Sequence, residues 1–167
     1  FTKDTLSYIL TAGAVLFVII YVVTLQQVVG PSMDSTLKNQ DIVILSKSHY
    51  KLFDMKRFDV IAFNYADTKY LIKRVIGLPG DKVEYKNNTL YINDKIIEEE
   101  FLKDHITKDY DMSSLGYEVI PEGKYFVLGD NRENSLDSRS FGLIDEKDIL
   151  GKVSIKIWPF YEFKIVN

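Results

Sequence analysis

The sequence predicts a mainly β domain behind one N-terminal membrane-spanning helix, and three observations lead there. Residues 5–33 form a stretch of 29 residues without Asp, Glu, Lys, Arg or His. From residue 41 onward the chain breaks into short runs rich in β-branched and aromatic residues, separated by Gly, Asn and Asp. A length of 167 residues leaves room for one core and no second full domain, at the usual figure of about 100–200 residues per domain.

Within the uncharged stretch, Leu6 to Val23 reads LSYILTAGAVLFVIIYVV, and apolar character resumes at Leu25, Val28 and Val29. About 20 helical residues cross a hydrocarbon core of about 30 Å, whereas a buried helix of a soluble protein seldom needs more than about 14 uniformly apolar residues. A cleaved secretory signal has an apolar core of about 7–15 residues and ends in a small-x-small site. Here the run is longer and ends in Thr24-Leu25-Gln26-Gln27-Val28-Val29, which reads as an uncleaved anchor. Lys3 is the one basic residue before it, so charge alone does not orient the segment. The division predicted is an anchor segment over 1–29 and a β-rich domain over 30–167.

In that domain, 41–45, 60–63, 70–76, 82–85, 89–92, 125–128 and 153–157 read as strands, with Asn93-Asp94 as a tight hairpin turn before Ile96-Ile97. Residues 98–121, with the acidic Glu98-Glu99-Glu100, show no period and read as an exposed excursion. The aromatic end Trp158-Pro159-Phe160-Tyr161-Glu162-Phe163 suits either a membrane interface or a strand end packed on the core.

Composition removes several functions. A net charge of −3, from 21 basic and 24 acidic residues, argues against an electrostatic nucleic-acid binder. The absence of cysteine excludes a disulfide framework, a thiolate nucleophile and Cys-based zinc. Two histidines, His49 and His105, are too few for the commonest metal clusters and read as ordinary surface or loop residues. No metal and no cofactor are expected.

Three segments carry chemistry. In Val28-Val29-Gly30-Pro31-Ser32-Met33-Asp34-Ser35-Thr36-Leu37, the Gly-Pro pair presents Ser32 on an irregular turn, where a serine is usually turn chemistry. No Gly-x-Ser-x-Gly elbow and no recognisable triad activates it. In Tyr70 to Asp81, strand alternation puts Leu71, Lys73 and Val75 on one face and Ile72, Arg74 and Ile76 on the other. Burial among aliphatic neighbours would lower the lysine pKa toward the range of a general base, although on this segment alone an edge lysine with its amine in water is the commoner arrangement. The third, Gly129 to Gly142, packs Asp130, Asn131, Arg132, Asn134, Ser135, Asp137, Ser138, Arg139 and Ser140 into a stretch dense enough for a closed polar network. Spacing does not choose between that network and a plain surface loop.

These segments, in this order behind an apolar run, closely resemble those of the type I signal peptidases, membrane-anchored serine proteases that remove secretory signal peptides. Ser32-Met33…Thr36-Leu37 is similar to the nucleophile box, Lys73-Arg74-Val75-Ile76-Gly77-Leu78-Pro79-Gly80-Asp81 to the lysine box, and Gly129-Asp130-Asn131-Arg132…Asn134-Ser135…Asp137-Ser138-Arg139…Phe141-Gly142 to the Gly-Asp-Asn-Arg box. With the 60–63 strand and Trp158-Pro159-Phe160, the resemblance covers nearly the whole chain. It implies a signal-peptidase-like β-rich catalytic domain, a serine endopeptidase held by a single pass in the cell membrane with its domain on the extracytoplasmic side, and signal peptides and the lipid bilayer as partners.

By position, the resemblance makes Ser32 the nucleophile and Lys73 the general base. Ser135 becomes the hydroxyl that orients the amine, and Arg74, Asp130, Asp137 and Arg139 become bracing charges. The Ser32 N–H would serve the oxyanion. Gly30 stands where some members carry a second donor, as in the Gram-positive-like branch. Val28, Val29, Met33, Leu37, Leu71 and Ile72 would line shallow pockets for small residues at the first and third positions before the cut. Two positions depart from the pattern: Ser35 replaces the usual Pro, and Phe58 the usual Gly before Asp59. Such departures point to an altered entry, a narrowed substrate range, or the alternative of a signal-peptidase-like accessory in pilus or secretion assembly. A soluble self-cleaving Ser-Lys repressor-type protease shares the dyad but explains neither the span nor the Gly129–Gly142 motif.

Overall fold

Alternating apolar runs become antiparallel ladders throughout the computed structural model, which describes residues 2–17, 22–47, 54–66, 69–102 and 105–166. One helix, α1 (Lys3–Phe17), precedes twelve strands among these residues: β1 (Val23–Gln27), β2 (Ile42–Ser46), β3 (Val60–Tyr65), β4 (Lys69–Gly77), β5 (Val83–Lys86), β6 (Thr89–Ile92), β7 (Lys95–Ile97), β8 (Tyr110–Asp111), β9 (Lys124–Leu128), β10 (Ile144–Asp145), β11 (Ile149–Trp158) and β12 (Lys164–Ile165). A second short helix, α2 (Ser138–Phe141), lies between β9 and β10. The larger sheet runs β1-β2-β11-β3-β4-β9-β10, with β12 on β11, and the smaller runs β7-β6-β5-β8.

The site sits where the larger sheet is covered on both faces. Val60, Ile61, Ala62 and Phe63 are all buried, as is β4 from Ile72 onward, which is why these strands read as continuous apolar runs. Ile61, Phe63 and Val75 pack with Val127 and Ile149 on one face. Val60, Ala62 and Ile72 pack with Val28, Met33, Leu37, Val43, Leu45 and Val153 on the other. The smaller sheet closes a third cluster against Ile76, Phe126 and Leu128. Asn93 and Asp94 take φ of 50° and 63°, the left-handed pair that a two-residue hairpin turn requires.

Two expectations change, and one open alternative is decided. The apolar run does not stay helical to Val23: among the described residues α1 covers Lys3–Phe17, and Val23 begins an edge strand paired with β2. Residues 18–21 lie outside the described residues, as does His49. α1 has 15 residues, a rise of about 22 Å, and among the described residues no helix is long and apolar enough to cross a membrane. The 98–121 segment is not wholly exposed: β8 joins the smaller sheet, and Thr107, Met112 and Ile120 are buried. At the C-terminal end, the Trp158, Phe160, Tyr161 and Phe163 rings stay exposed instead of packing on the core.

Candidate active site

Ser32 heads a loop whose base is closed by main-chain bonds: Val28 N donates to Asp41 O at 2.8 Å and Gln40 N to Val28 O at 2.8 Å. Gly30, at φ +90° where a side chain would be strained, donates its N–H to Asn39 Oδ1 at 2.9 Å. Met33 and Leu37, one helical turn apart with Leu37 N donating to Met33 O at 2.7 Å, enter the core and hold the loop down. Their burial leaves the intervening polar residues, and Ser32 before them, outside the cluster. From above, Asn131 fixes the turn: its N–H donates to Ser32 O at 3.1 Å and its Nδ2 to Pro31 O at 3.2 Å.

Lys73 approaches from β4. β9 joins β4 only from Arg74 onward, so Lys73 is the last residue of an edge that has no strand partner on that side among the described residues. Its amine is buried and donates to Ser32 Oγ at 2.6 Å and to Ile72 O at 3.0 Å. Burial lowers its pKa from 10.5 to about 8, opposed by the negative charges of Asp137 and Asp130. That difference decides what the amine can do. At pH 7 about one lysine in ten is neutral at a pKa near 8, against roughly one in 3,000 at the ordinary value.

The charges around the pair are matched internally. Arg74 and Asp130, both fully buried, form a two-pronged pair at 2.9 and 2.8 Å, and Arg74 also donates to Phe58 O and to Thr36 Oγ1 in the serine loop. Asp137 caps α2, accepts from Gly129 N at 3.1 Å and pairs with Arg139 at 2.9 and 2.8 Å. Each carboxylate near Lys73 therefore has its own arginine, and neither contacts the amine as an ion pair. Ser135 Oγ is buried beside the serine turn and makes no hydrogen bond in this arrangement. It packs so closely on Gly129, beside Ser32 O, that any side chain at 129 would collide with both.

The six side chains expected to line pockets do not share one open wall. Val28, Met33, Leu37 and Ile72 pack in a single buried cluster, Leu71 is half-buried in the cluster on the opposite face of β4, and Val29 is 78% exposed. Both departures from the family pattern fall at left-handed backbone. Ser35 has φ +85°, which proline, fixed near −65°, does not adopt, and Phe58 has φ +74°, where glycine would be unstrained. The Phe58 ring meets Phe101 edge-on at 5.0 Å, and Phe101 lies under the Arg74 guanidinium at 3.9 Å.

One bracing pair was missed. Arg132 is buried and donates to Gly129 O, Tyr85 Oη, Thr107 Oγ1 and both oxygens of Glu99, clamping the 98–107 stretch onto the loop that carries Asp130 and Asp137. Glu99 sits between exposed Glu98 and Glu100, so only alternation within the acidic triplet marked it as inward-facing.

The family model for signal peptidase, peptidase S26, matches residues 2–158. The chain is 46% identical to signal peptidase IB of Staphylococcus aureus over 97% of its own length and 94% of that protein's, and 40% identical to signal peptidase I of Bacillus caldolyticus over 80% and 79%. A crystal structure of a signal peptidase I from Enterococcus faecalis superposes with a TM-score of 0.57 at 38% identity, covering 61% of this chain and 98% of that one. A serine and a buried amine in contact, on a β scaffold shared with these proteins, leave little room for another reading: the chain belongs to the signal peptidase family, peptidase S26, and is a serine endopeptidase.

Proposed function

We propose that this chain is held in the cell membrane by a single pass of its N-terminal apolar segment, with the β domain outside the cytoplasm. There it cleaves N-terminal signal peptides from secretory preproteins through a Ser32–Lys73 dyad. The observation that carries the reading is the buried Lys73 amine, lowered to a pKa of about 8 and 2.6 Å from Ser32 Oγ.

In the reaction, neutral Lys73 Nζ removes the Oγ proton as Oγ bonds to the scissile carbonyl carbon, and the Ser32 N–H faces the developing oxyanion. The lysine ammonium returns that proton to the leaving nitrogen as the C–N bond breaks, leaving an ester on Ser32. A water then attacks the ester, its proton passing to Lys73 and on to Oγ. Ser135, with an unengaged Oγ beside the serine turn, is the hydroxyl proposed to steady the amine as the lysine changes partner. Arg74 with Asp130 and Asp137 with Arg139 hold the two loops in register and take no proton.

Substrate would bind extended, as an added strand between the unpaired edge of residues 69–73 and the chain leaving β1 at 28–29, with Val29, Leu71 and Ile72 nearest and Met33 and Leu37 beneath. The anchoring is supported by α1, in which the apolar side chains of Leu6, Ile9, Leu10, Val15 and Leu16 are all more than half exposed. A binding-only accessory role is not favoured, since both reacting groups are present and in contact. The test is cleavage of a preprotein by the intact protein in detergent: wild type is expected to release the mature chain and Ser32→Ala to release none, and cleavage by Ser32→Ala at the wild-type rate would overturn the assignment.

A further inference from the structure

The gap between the two free edges is bridged at a second place, well away from the dyad. Tyr70 Oη donates to the main-chain carbonyl of Gln27 at 3.0 Å and accepts from Gln26 Nε2, so one side chain of β4 grips the end of β1. Among the described residues, Gln26 and Gln27 belong to a strand paired only with β2, and Tyr70 to the part of β4 paired only with β3. The hydroxyl therefore fills a main-chain acceptor on an edge that an incoming strand would use. Tyr70 is three residues from Lys73, a distance of about 10 Å along the strand, or about three residues of an extended substrate lying beside it.

We infer that Tyr70 is a specificity-determining residue: its hydroxyl closes the channel beyond the third residue upstream of the scissile bond, so that a longer upstream segment must displace it from Gln27 O. This rests on the reading of the gap as the substrate channel. A polypeptide ending at the third position reaches the dyad without disturbing the latch. One extending further exchanges the Tyr70–Gln27 bond for a bond from its own N–H to the same carbonyl, and the displaced hydroxyl turns to solvent or to Gln26.

Two synthetic peptides with the same cleavage site separate these cases, one beginning three residues before the scissile bond and one beginning seven before it. They are assayed with the full chain in detergent micelles as wild type, Tyr70→Phe and Gln26→Ala, with circular dichroism as the check on folding. The KM of the long peptide, divided by that of the short one, is expected to fall about fivefold in Tyr70→Phe, the size of one net neutral hydrogen bond. A smaller fall in the same direction is expected in Gln26→Ala, which loosens the latch without removing it. Full turnover with the same ratio in all three proteins, or equal changes for both peptides, overturns the latch and leaves the dyad standing. Absence of cleavage by the wild type overturns the peptidase reading and the latch with it.

Discussion

Two lysines are almost wholly buried among the described residues, and they have opposite chemistry. Lys73 in β4 and Lys156 in β11 are each 1% exposed. Burial pulls both pKa values down as its first effect. For Lys73 nothing in contact reverses it, and the pKa settles at about 8. For Lys156, hydrogen bonds to Asp41 at 2.8 Å and Glu162 at 2.5 Å outweigh burial and carry the pKa above its ordinary value. Burial by itself does not make a base. In the proposed mechanism, what makes one of Lys73 is burial together with carboxylates that have been given away to arginines, as Asp130 is to Arg74 and Asp137 to Arg139. Lys156 instead fastens the C-terminal turn to the foot of the serine loop, where Asp41 O accepts from Val28 N.

The sharpest way to break the comparison is to remove each amine and measure cleavage. Lys73→Ala is expected to lower kcat/KM by at least about 10³-fold, the loss of a general base at an activated nucleophile. Lys156→Met, measured where it remains folded, is expected to stay within about threefold of wild type. Stability should show the reverse. Lys156→Met strands the Asp41 carboxylate in the interior and is expected to cost about 3 kcal/mol in urea denaturation at pH 7.

Lys73→Met is expected to stabilise the protein at pH 6, with the gain gone by pH 10.5. The folded pKa of about 8 lies below the unfolded 10.5, so between those values the unfolded chain binds more protons and stability rises with pH. Below pH 8 the folded state carries the whole penalty of a buried ammonium, about 3 kcal/mol, and removing the amine relieves part of it.

The mildest change sharpens the contrast. Glu162 is a third exposed, and Glu162→Gln is expected to leave the urea midpoint nearly unchanged, because Asp41 still faces the amine. With Asp41→Asn added, Lys156 should come to resemble Lys73. The check is the titration of the lysine side chain by NMR, expected to move from above 10.5 to below it.

The difference between the two lysines was half legible in the sequence. Leu71 and Val75 flank Lys73 at strand spacing, so alternation put it on an aliphatic face but left open an edge lysine with its amine in water, and burial decided between them. In Val153-Ser154-Ile155-Lys156-Ile157 the same alternation puts Lys156 opposite Val153, yet both are buried. The register against β2 slips between Val153 and Ile155, and that bulge turns Lys156 to the face of Val43 and Leu45. A slip of one residue leaves no mark on composition.

Most strands were legible because their apolar residues recur at a period of two or fill both faces. β1 was not, because its Val-Thr-Leu-Gln-Gln carries no charge and merges with the apolar run before it. The proposed reacting pair, Ser32 and Lys73, came from motif resemblance more than from spacing, since nothing local to Ser32 shows the amine 41 residues away. Glu99 and Tyr70 act through contacts across the chain, Glu99 on Arg132 and Tyr70 on Gln27, and single-segment patterns carry no trace of those.

The central claim is that Lys73 must be neutral to act on Ser32, and the pH dependence of kcat/KM for the intact protein tests it most directly. The value is expected to rise about tenfold per pH unit from pH 5.5 and to level off near pH 8, the pKa of the buried amine. A profile flat from pH 5.5 to 9, or one still rising steeply at pH 10, would contradict it.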